Sequence, residues 1–277
     1  MTTPTRPALR YYGGKWNLAK WIISHMPPHT SYLEPCCGAS SVLFQKPRVT
    51  VETINDTDGN VVNFFEVLRN HPDELIRRLR YTPWSRQEHR ICMNYSIHAN
   101  DKVEAARRFC AYHWMSISAS SRNSGWRCIT KSEQRRAISA FDLQRVDFEA
   151  IANRLLGVQI ECKSCFDLIP KFDDHDTLIY FDPPYVHSTR TSKTEYSTEW
   201  SDEMHGETAA LLRQSKSMVV VSGYSCDLYT ELYEIHGWQR VDKVAQVSGG
   251  GKRVESLWLS PSVSEMLEMP QQRRLFR

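Results

Sequence analysis

No run of apolar residues in this chain approaches the roughly 20 that a membrane-crossing helix needs. The stretch Met1 to Arg10 lacks the apolar centre of a secretory signal. A cytoplasmic protein without membrane contact is therefore expected. Eight cysteines are scattered through 277 residues, which argues for reduced thiols and against a disulfide framework. Cys162 and Cys165 have the spacing of a redox or zinc pair, but no second Cys pair accompanies them, and no metal site is expected. The dinucleotide fingerprint G-x-G-x-x-G is missing, as are internal repeats and low-complexity tracts. The length suits one full α/β domain with a smaller appended module.

What the chain does have is Asp182-Pro183-Pro184-Tyr185, directly after the apolar run Thr177 to Phe181. The run reads as a strand, and in an open α/β sheet ligands bind at the carboxyl ends of strands. The tetrapeptide suits methylation of an exocyclic amine, whose lone pair is delocalised into its ring. Accepting a hydrogen bond from each N–H, one by the Asp182 carboxylate and one by a main-chain carbonyl, favours a pyramidal, nucleophilic nitrogen. Proline supplies that carbonyl with a fixed φ and no competing donor. Tyr185 offers a flat face to an extruded base. Taken alone, the four residues read equally well as an acid that opens a loop and two prolines that stiffen it.

Three upstream segments decide between these readings. In Arg10-Tyr11-Tyr12-Gly13-Gly14-Lys15-Trp16, two glycines bring a lysine and aromatic rings together, although alone they are an ordinary turn. Ser31 to Phe44 reads as a short strand, a turn of small residues open to a cofactor, and the start of a helix. Val49 to Ile54 reads as a second strand ending in Asn55-Asp56, an acid placed like those that grip a ribose hydroxyl.

In order, Tyr-x-Gly-Gly-Lys, Glu-Pro-x-x-Gly-Ala, Asn-Asp and Asp-Pro-Pro-Tyr resemble the Dam-like DNA adenine-N6 methyltransferases, the D12 class, including prophage-type members. The likeness runs from Arg10 to Ser260. It implies an α/β fold, a Rossmann-like S-adenosylmethionine-dependent methyltransferase sheet with a mainly helical DNA-recognition insert. It also implies methyl transfer from S-adenosyl-L-methionine, leaving S-adenosyl-L-homocysteine, to an adenine flipped out of double-stranded DNA. DNA modification or protection, as in restriction-modification, is the implied setting.

The resemblance assigns cofactor contacts to Tyr11, Gly13, Gly14 and Lys15, and to Glu34, Pro35, Gly38, Ala39 and Ser40 beside the methionine part. Asp56 falls to the ribose, and Cys165, Phe166 and Asp167 to the cofactor's adenine, after the apolar segment Gly157 to Cys162. Asp182, Pro183, Pro184 and Tyr185 are then the catalytic residues, Asp182 also touching the cofactor. Tyr11 stands where Trp is more usual, and Cys36-Cys37 replace a Phe and a small residue. Related cytosine-N4 enzymes favour Ser at the position of Asp182, and glutamine-directed ones Asn. The same scaffold acting on RNA adenine or cytosine N4, and a catalytically silent DNA-binding relative, are the alternatives. A redox role for Cys162 and Cys165 is more distant.

The formal net charge of +3 hides an asymmetry. Arg77 to Arg136 contains 13 Lys and Arg against 4 Asp and Glu, a balance of +9 that leaves the remainder near −6. Here the family carries its target-recognition domain, and a basic insert suits a phosphate backbone. Two helices are expected, Arg86 to Ala99 and Asp101 to Ser116, followed by a polar, basic loop. Arg122, Asn123, Trp126 and Arg127, then Lys131, Arg135 and Arg136, with Arg190 in the polar segment Val186 to Trp200, are the candidate DNA contacts. Trp126 suits a small-domain core equally well, and Arg77-Arg78 and Arg107-Arg108 read better as solvated helix faces.

The expected division is residues 1–70 and 156–262 for catalysis, 71–155 for recognition and 263–277 as a tail, acting as a monomer or DNA-dependent dimer. A helix at His205 to Ser215, a buried strand from Met218, a hairpin over Val244 to Leu259 and a frayed end from Glu265 complete the reading.

Overall fold

The computed structural model describes residues 4–97, 100–117, 124–128, 140–189, 199–246 and 252–269. Their seven strands are β1 (Ser31–Glu34), β2 (Val51–Asn55), β3 (Gln159–Glu161), β4 (Thr177–Phe181), β5 (Met218–Gly223), β6 (Gln239–Gln246) and β7 (Lys252–Leu259). They form one sheet in the order β3-β2-β1-β4-β5-β7-β6, in which β1 to β5 are parallel and β7 is antiparallel to both its neighbours. This is the expected Rossmann-like arrangement. β4 and β5 are largely apolar and buried at every position, as befits central strands of a parallel sheet.

Strand alternation divides the core into two layers. Leu178, Tyr180, Val220 and Leu257 face a layer built by α1 (Ala19–Ile23), α2 (Gly59–Asn70), α3 (Pro72–Arg80), α5 (Lys102–Met115), α6 (Ala140–Gln144), α7 (Phe148–Leu155) and α11 (Pro261–Glu268). Ile179, Phe181, Val219, Val221 and Trp258 face α8 (Cys165–Leu168), α9 (Asp202–Gln214) and α10 (Asp227–Leu232). The remaining helix, α4 (Arg86–Cys92), leans on α5.

Everything from α2 to α7 is inserted between β2 and β3. Phe64 of α2 meets Phe109 of α5 with ring centroids 6.2 Å apart, so the insert shares the core of the sheet. A small second cluster, Cys92, Ala111, Tyr112 and Met115, lies beyond it with Trp84, Tyr95 and Trp126 packed on its edge.

Three local expectations are corrected. The helix from Arg86 stops at Cys92 instead of Ala99, because Tyr95 turns in to pack edge-on against Phe109 at 5.1 Å. No helix follows β1: Gly38 and Ser40 both have positive φ, and the Leu43 amide bonds to the Glu34 carboxylate instead of to a helical carbonyl. The carboxyl-terminal stretch is a helix through Glu268, held by fully buried Val263 against β5 and β7, not a frayed tail from Glu265. Among the described residues no helix is long and apolar enough to cross a membrane.

Candidate active site

From β1 the chain crosses to β2 on one side, and from β4 to β5 on the other, so a crevice opens between β1 and β4 at their carboxyl ends. A cavity lies there. It is lined by residues 11–15, by residues 34–39 with Ser41 and Val42, by Asp56 and Thr57, by residues 164–166, by Tyr180, by residues 182–184, and by Trp200 and Met204.

The loops that form it are braced from below. Asn55, fully buried at the end of β2, donates to the carbonyls of Pro35 and Lys163 at 2.8 and 2.9 Å and accepts from the Lys163 amide at 2.8 Å. One side chain thus ties together the loops after β1, β2 and β3. Asp56 accepts from the Gly38 and Asp58 amides, both at 2.9 Å, and burial nevertheless lifts its pKa to about 6. Glu34 Oε1 accepts from Tyr32 Oη at 2.6 Å and from the Leu43 amide at 2.9 Å, while burial pushes its pKa up to about 7. Gly38 has φ +47°, and a Cβ there would stand 3.2 Å from the Tyr11 ring. Tyr11 in turn packs on His113 and Phe109 of α5, with centroids 5.2 and 6.5 Å away.

At the end of β4, Asp182 Oδ2 meets Lys15 Nζ at 3.0 Å, and Lys15 also donates to the Gly13 carbonyl at 2.6 Å. Burial disfavours the Lys15 ammonium, but Asp182 and then Glu255 outweigh it and raise its pKa. Burial likewise raises the Asp182 pKa, with Lys15 offsetting only part of the effect. Asp182 Oδ1 is buried and has no hydrogen-bond partner among the described residues. The Lys15 ammonium sits 4.7 Å from the Tyr185 ring centroid, and Tyr185 itself is buried, its hydroxyl donating to Glu255 Oε2 at 3.0 Å.

Most residues expected at a cofactor site line this cavity: Tyr11, Gly13, Gly14, Lys15, Glu34, Pro35, Gly38, Ala39, Asp56, Cys165, Phe166 and Asp182. Ser40 is buried beneath the loop and Asp167 is exposed outside the cavity, so neither lines it. Pro183 and Pro184 line it, whereas Tyr185 stands behind them. Sequence reasoning missed Trp200 and Met204. Trp200 lies almost parallel to Phe166, centroids 6.3 Å apart and planes at 15°, and closes one wall. Its one sequence signal is its place just before Ser201, which caps α9. Cys165 is buried, while Cys162 is exposed.

The candidate DNA contacts divide. Arg122, Asn123, Lys131, Arg135, Arg136 and Arg190 lie outside the described residues. Trp126 packs on the small cluster beside α5, with the Arg86 guanidinium 4.7 Å from its ring centroid. Arg127 converges with Arg10 on the carbonyls of Ser116 and Ile117. Burial, and then Arg127, lower the Arg10 pKa to about 10. Arg78, Arg107 and Arg108 all bond to Glu104, and the hydrogen bonds from Arg107 and then Arg108 lower its pKa to about 2. Arg78 thereby ties α3 to α5, Arg107 also reaches Glu88 of α4, and Arg108 pairs within α5.

Curated relatives align over most of this architecture. The type II methyltransferase M.MjaIII of Methanocaldococcus jannaschii is 23% identical over 285 residues, which covers 91% of this chain and 96% of that protein. The type II methyltransferase M1.LlaDCHI of Lactococcus lactis subsp. cremoris is 25% identical, covering 90% of this chain and 93% of its own. The DNA adenine methylase of Vibrio cholerae serotype O1 is 23% identical over 69% of this chain and 70% of its own. The model of the D12 class N6 adenine-specific DNA methyltransferases matches residues 11–247, from the aromatic that borders the Gly38 loop to just past the end of β6. The chain belongs to that class, and it is an adenine-specific DNA methyltransferase.

Proposed function

We propose that the cavity binds S-adenosylmethionine and that Asp182, Pro183 and Tyr185 receive an adenine turned out of duplex DNA. One observation carries this reading: a partly buried carboxylate at the carboxyl end of a central strand, with one oxygen bonded to a lysine and the other, itself buried, free of hydrogen bonds among the described residues. When bound, the cofactor supplies a methyl group already activated on a sulfonium.

The chain's residues fit such a group. Gly38 keeps one side of the cavity clear of a Cβ, the buried Ser41 Oγ has no hydrogen-bond partner among the described residues, and Phe166 and Trp200 offer ring faces to a purine. Asp56, at the end of β2, is the acid for the ribose hydroxyls.

For the amine, Asp182 accepts one N–H and the Pro183 carbonyl accepts the other, which turns the nitrogen lone pair out of conjugation. Lys15 donates to Oδ2 and covers the Tyr185 ring, so the amine takes Oδ1, unbonded among the described residues, while the base displaces the ammonium from the ring and Gly13 retains the lysine. Tyr185 stacks on the base. Acceleration comes mainly from positioning, worth several powers of ten when reacting atoms are held in line. The basic insert supplies phosphate contacts, and the enzyme acts as a monomer or as a dimer formed on DNA.

The test is incubation with unmethylated genomic DNA and S-adenosylmethionine, followed by nucleoside mass spectrometry and single-molecule mapping. N6-Methyladenine in a short recurring context is expected. Absence of any methylated base, with cofactor binding intact by calorimetry, would overturn the reading.

A further inference from the structure

The roles above leave Glu255 unassigned. β7 runs against β5, so its early residues reach the carboxyl edge of the sheet where the loop after β4 begins. Ser256 pairs with Gly223, the last residue of β5, and Glu255 lies one step beyond that pair. Arg253 and Glu255, two apart and so on one face of the strand, each hold a tyrosine. Glu255 Oε2 accepts from the Tyr185 hydroxyl at 3.0 Å. Arg253 donates to the Tyr224 hydroxyl at 3.3 Å and covers its ring, the guanidinium 5.5 Å from the centroid. The two rings meet edge to face, centroids 4.7 Å apart and planes at 80°. The Lys15 ammonium that bonds Asp182 also lies over Tyr185, so the covered ring face is the one beside the catalytic carboxylate.

We propose that Glu255 is a positioning residue, which anchors the Tyr185 ring through its hydroxyl so that this face stays beside Asp182 when an adenine replaces the lysine ammonium. The inference rests on the function proposed above. A tyrosine packed only through its ring edge can tilt, whereas one tethered at its far end by a carboxylate cannot do so without losing a charge-assisted hydrogen bond. Glu255 touches neither the amine nor the cofactor in this scheme; beside the charge it presents to Lys15, it acts through Tyr185.

A double-mutant cycle in the full-length enzyme tests it, reading single-turnover methylation of DNA, cofactor affinity by calorimetry and melting temperature. Glu255→Ala is expected to slow methyl transfer roughly ten- to hundredfold, the worth of a hydrogen bond to a charged group, with cofactor affinity unchanged. Glu255→Gln, whose amide oxygen still accepts the hydroxyl, recovers most of the rate. In a Tyr185→Phe background, Glu255→Ala costs much less than in the wild type, the remainder being the loss of its charge beside Lys15. An equal loss with and without the hydroxyl would overturn the proposal, as would no loss in Glu255→Ala or no recovery in Glu255→Gln. Should Glu255→Ala fail to fold, the cycle run with Glu255→Gln decides: near-wild-type turnover alone and no added loss in Tyr185→Phe supports the anchor, and a slow enzyme in both backgrounds refutes it. Asp182→Asn separates the two layers. If it is inactive while Glu255→Ala is unimpaired, only the anchor fails; if Asp182→Asn turns over normally, the proposed function fails with it.

Discussion

Asp182, partly buried, and Glu34, buried, are both carboxylates at strand ends, yet their partners give them opposite fates. Asp182 keeps one oxygen without a hydrogen bond among the described residues, whereas Glu34 spends Oε1 on a tyrosine and a backbone amide. Asp182→Asn preserves shape and removes the charge, and methyl transfer should fall by about 10²-fold or more, the usual loss of one preorganised transition-state contact. Cofactor affinity, followed by calorimetry, should change little. For Glu34 the prediction concerns stability. The folded chain holds its proton with a pKa of about 7 against an ordinary 4.5. Its contribution is therefore fully present below about pH 4.5 and lost as the pH rises through about 7. Glu34→Gln keeps an acceptor for Tyr32 and Leu43 and never carries the charge. Thermal melts should show this variant gaining on the wild type as the pH is raised from 5 to 8.5; a pH-independent difference would contradict the assignment.

Among the elements, the loop after β1 shows why parts of the site were legible in the sequence and parts were not. Gly38, Asp56 and Asp182-Pro183-Pro184 were legible because each meets a backbone demand that few residues satisfy: a positive φ, an acid at a strand end, a turn without a donor. The expected helix after that loop was misread because Val42, Leu43 and Phe44 look helical, while the decisive contact, Leu43 to Glu34, spans nine residues. Trp200 and Met204 were invisible for a similar reason, since only the return of α9 brings them over the cavity. The end of α4 at Cys92 depends on Tyr95 finding Phe109. Gly38→Ala tests the loop directly. An alanine at φ +47° costs about 1 kcal/mol or more, equivalent to a fall of about 2–4 °C in Tm for a chain of this class. Its Cβ must also displace the Tyr11 ring from 3.2 Å. Calorimetry should show cofactor affinity weakened several-fold.

For the whole molecule, charge is distributed by task. Between Arg77 and Arg136 the balance is +9, but Arg78, Arg107 and Arg108 are tied to Glu74, Glu88, Asp101 and Glu104. These pairs hold the described part of the insert together, and the proposed function assigns Arg135 and Arg136 to phosphate. Arg135→Gln with Arg136→Gln should therefore flatten the plot of log DNA affinity against log salt by about 1.8 units, leaving the melting temperature unchanged. Arg107→Gln should do the reverse, lowering the melting temperature with little effect on that slope.

One ring joins these scales. Tyr11 borders the loop at Gly38, to which the proposed function assigns the cofactor, and packs on His113 and Phe109 of the insert to which it assigns DNA. Under that assignment, a shift of this shared ring on binding either ligand would link the two equilibria. Whatever factor the cofactor contributes to DNA affinity, DNA must return to cofactor affinity. The enzyme therefore holds its methyl donor more tightly on the substrate than off it if, and only if, the loaded enzyme also grips DNA more tightly than the empty one.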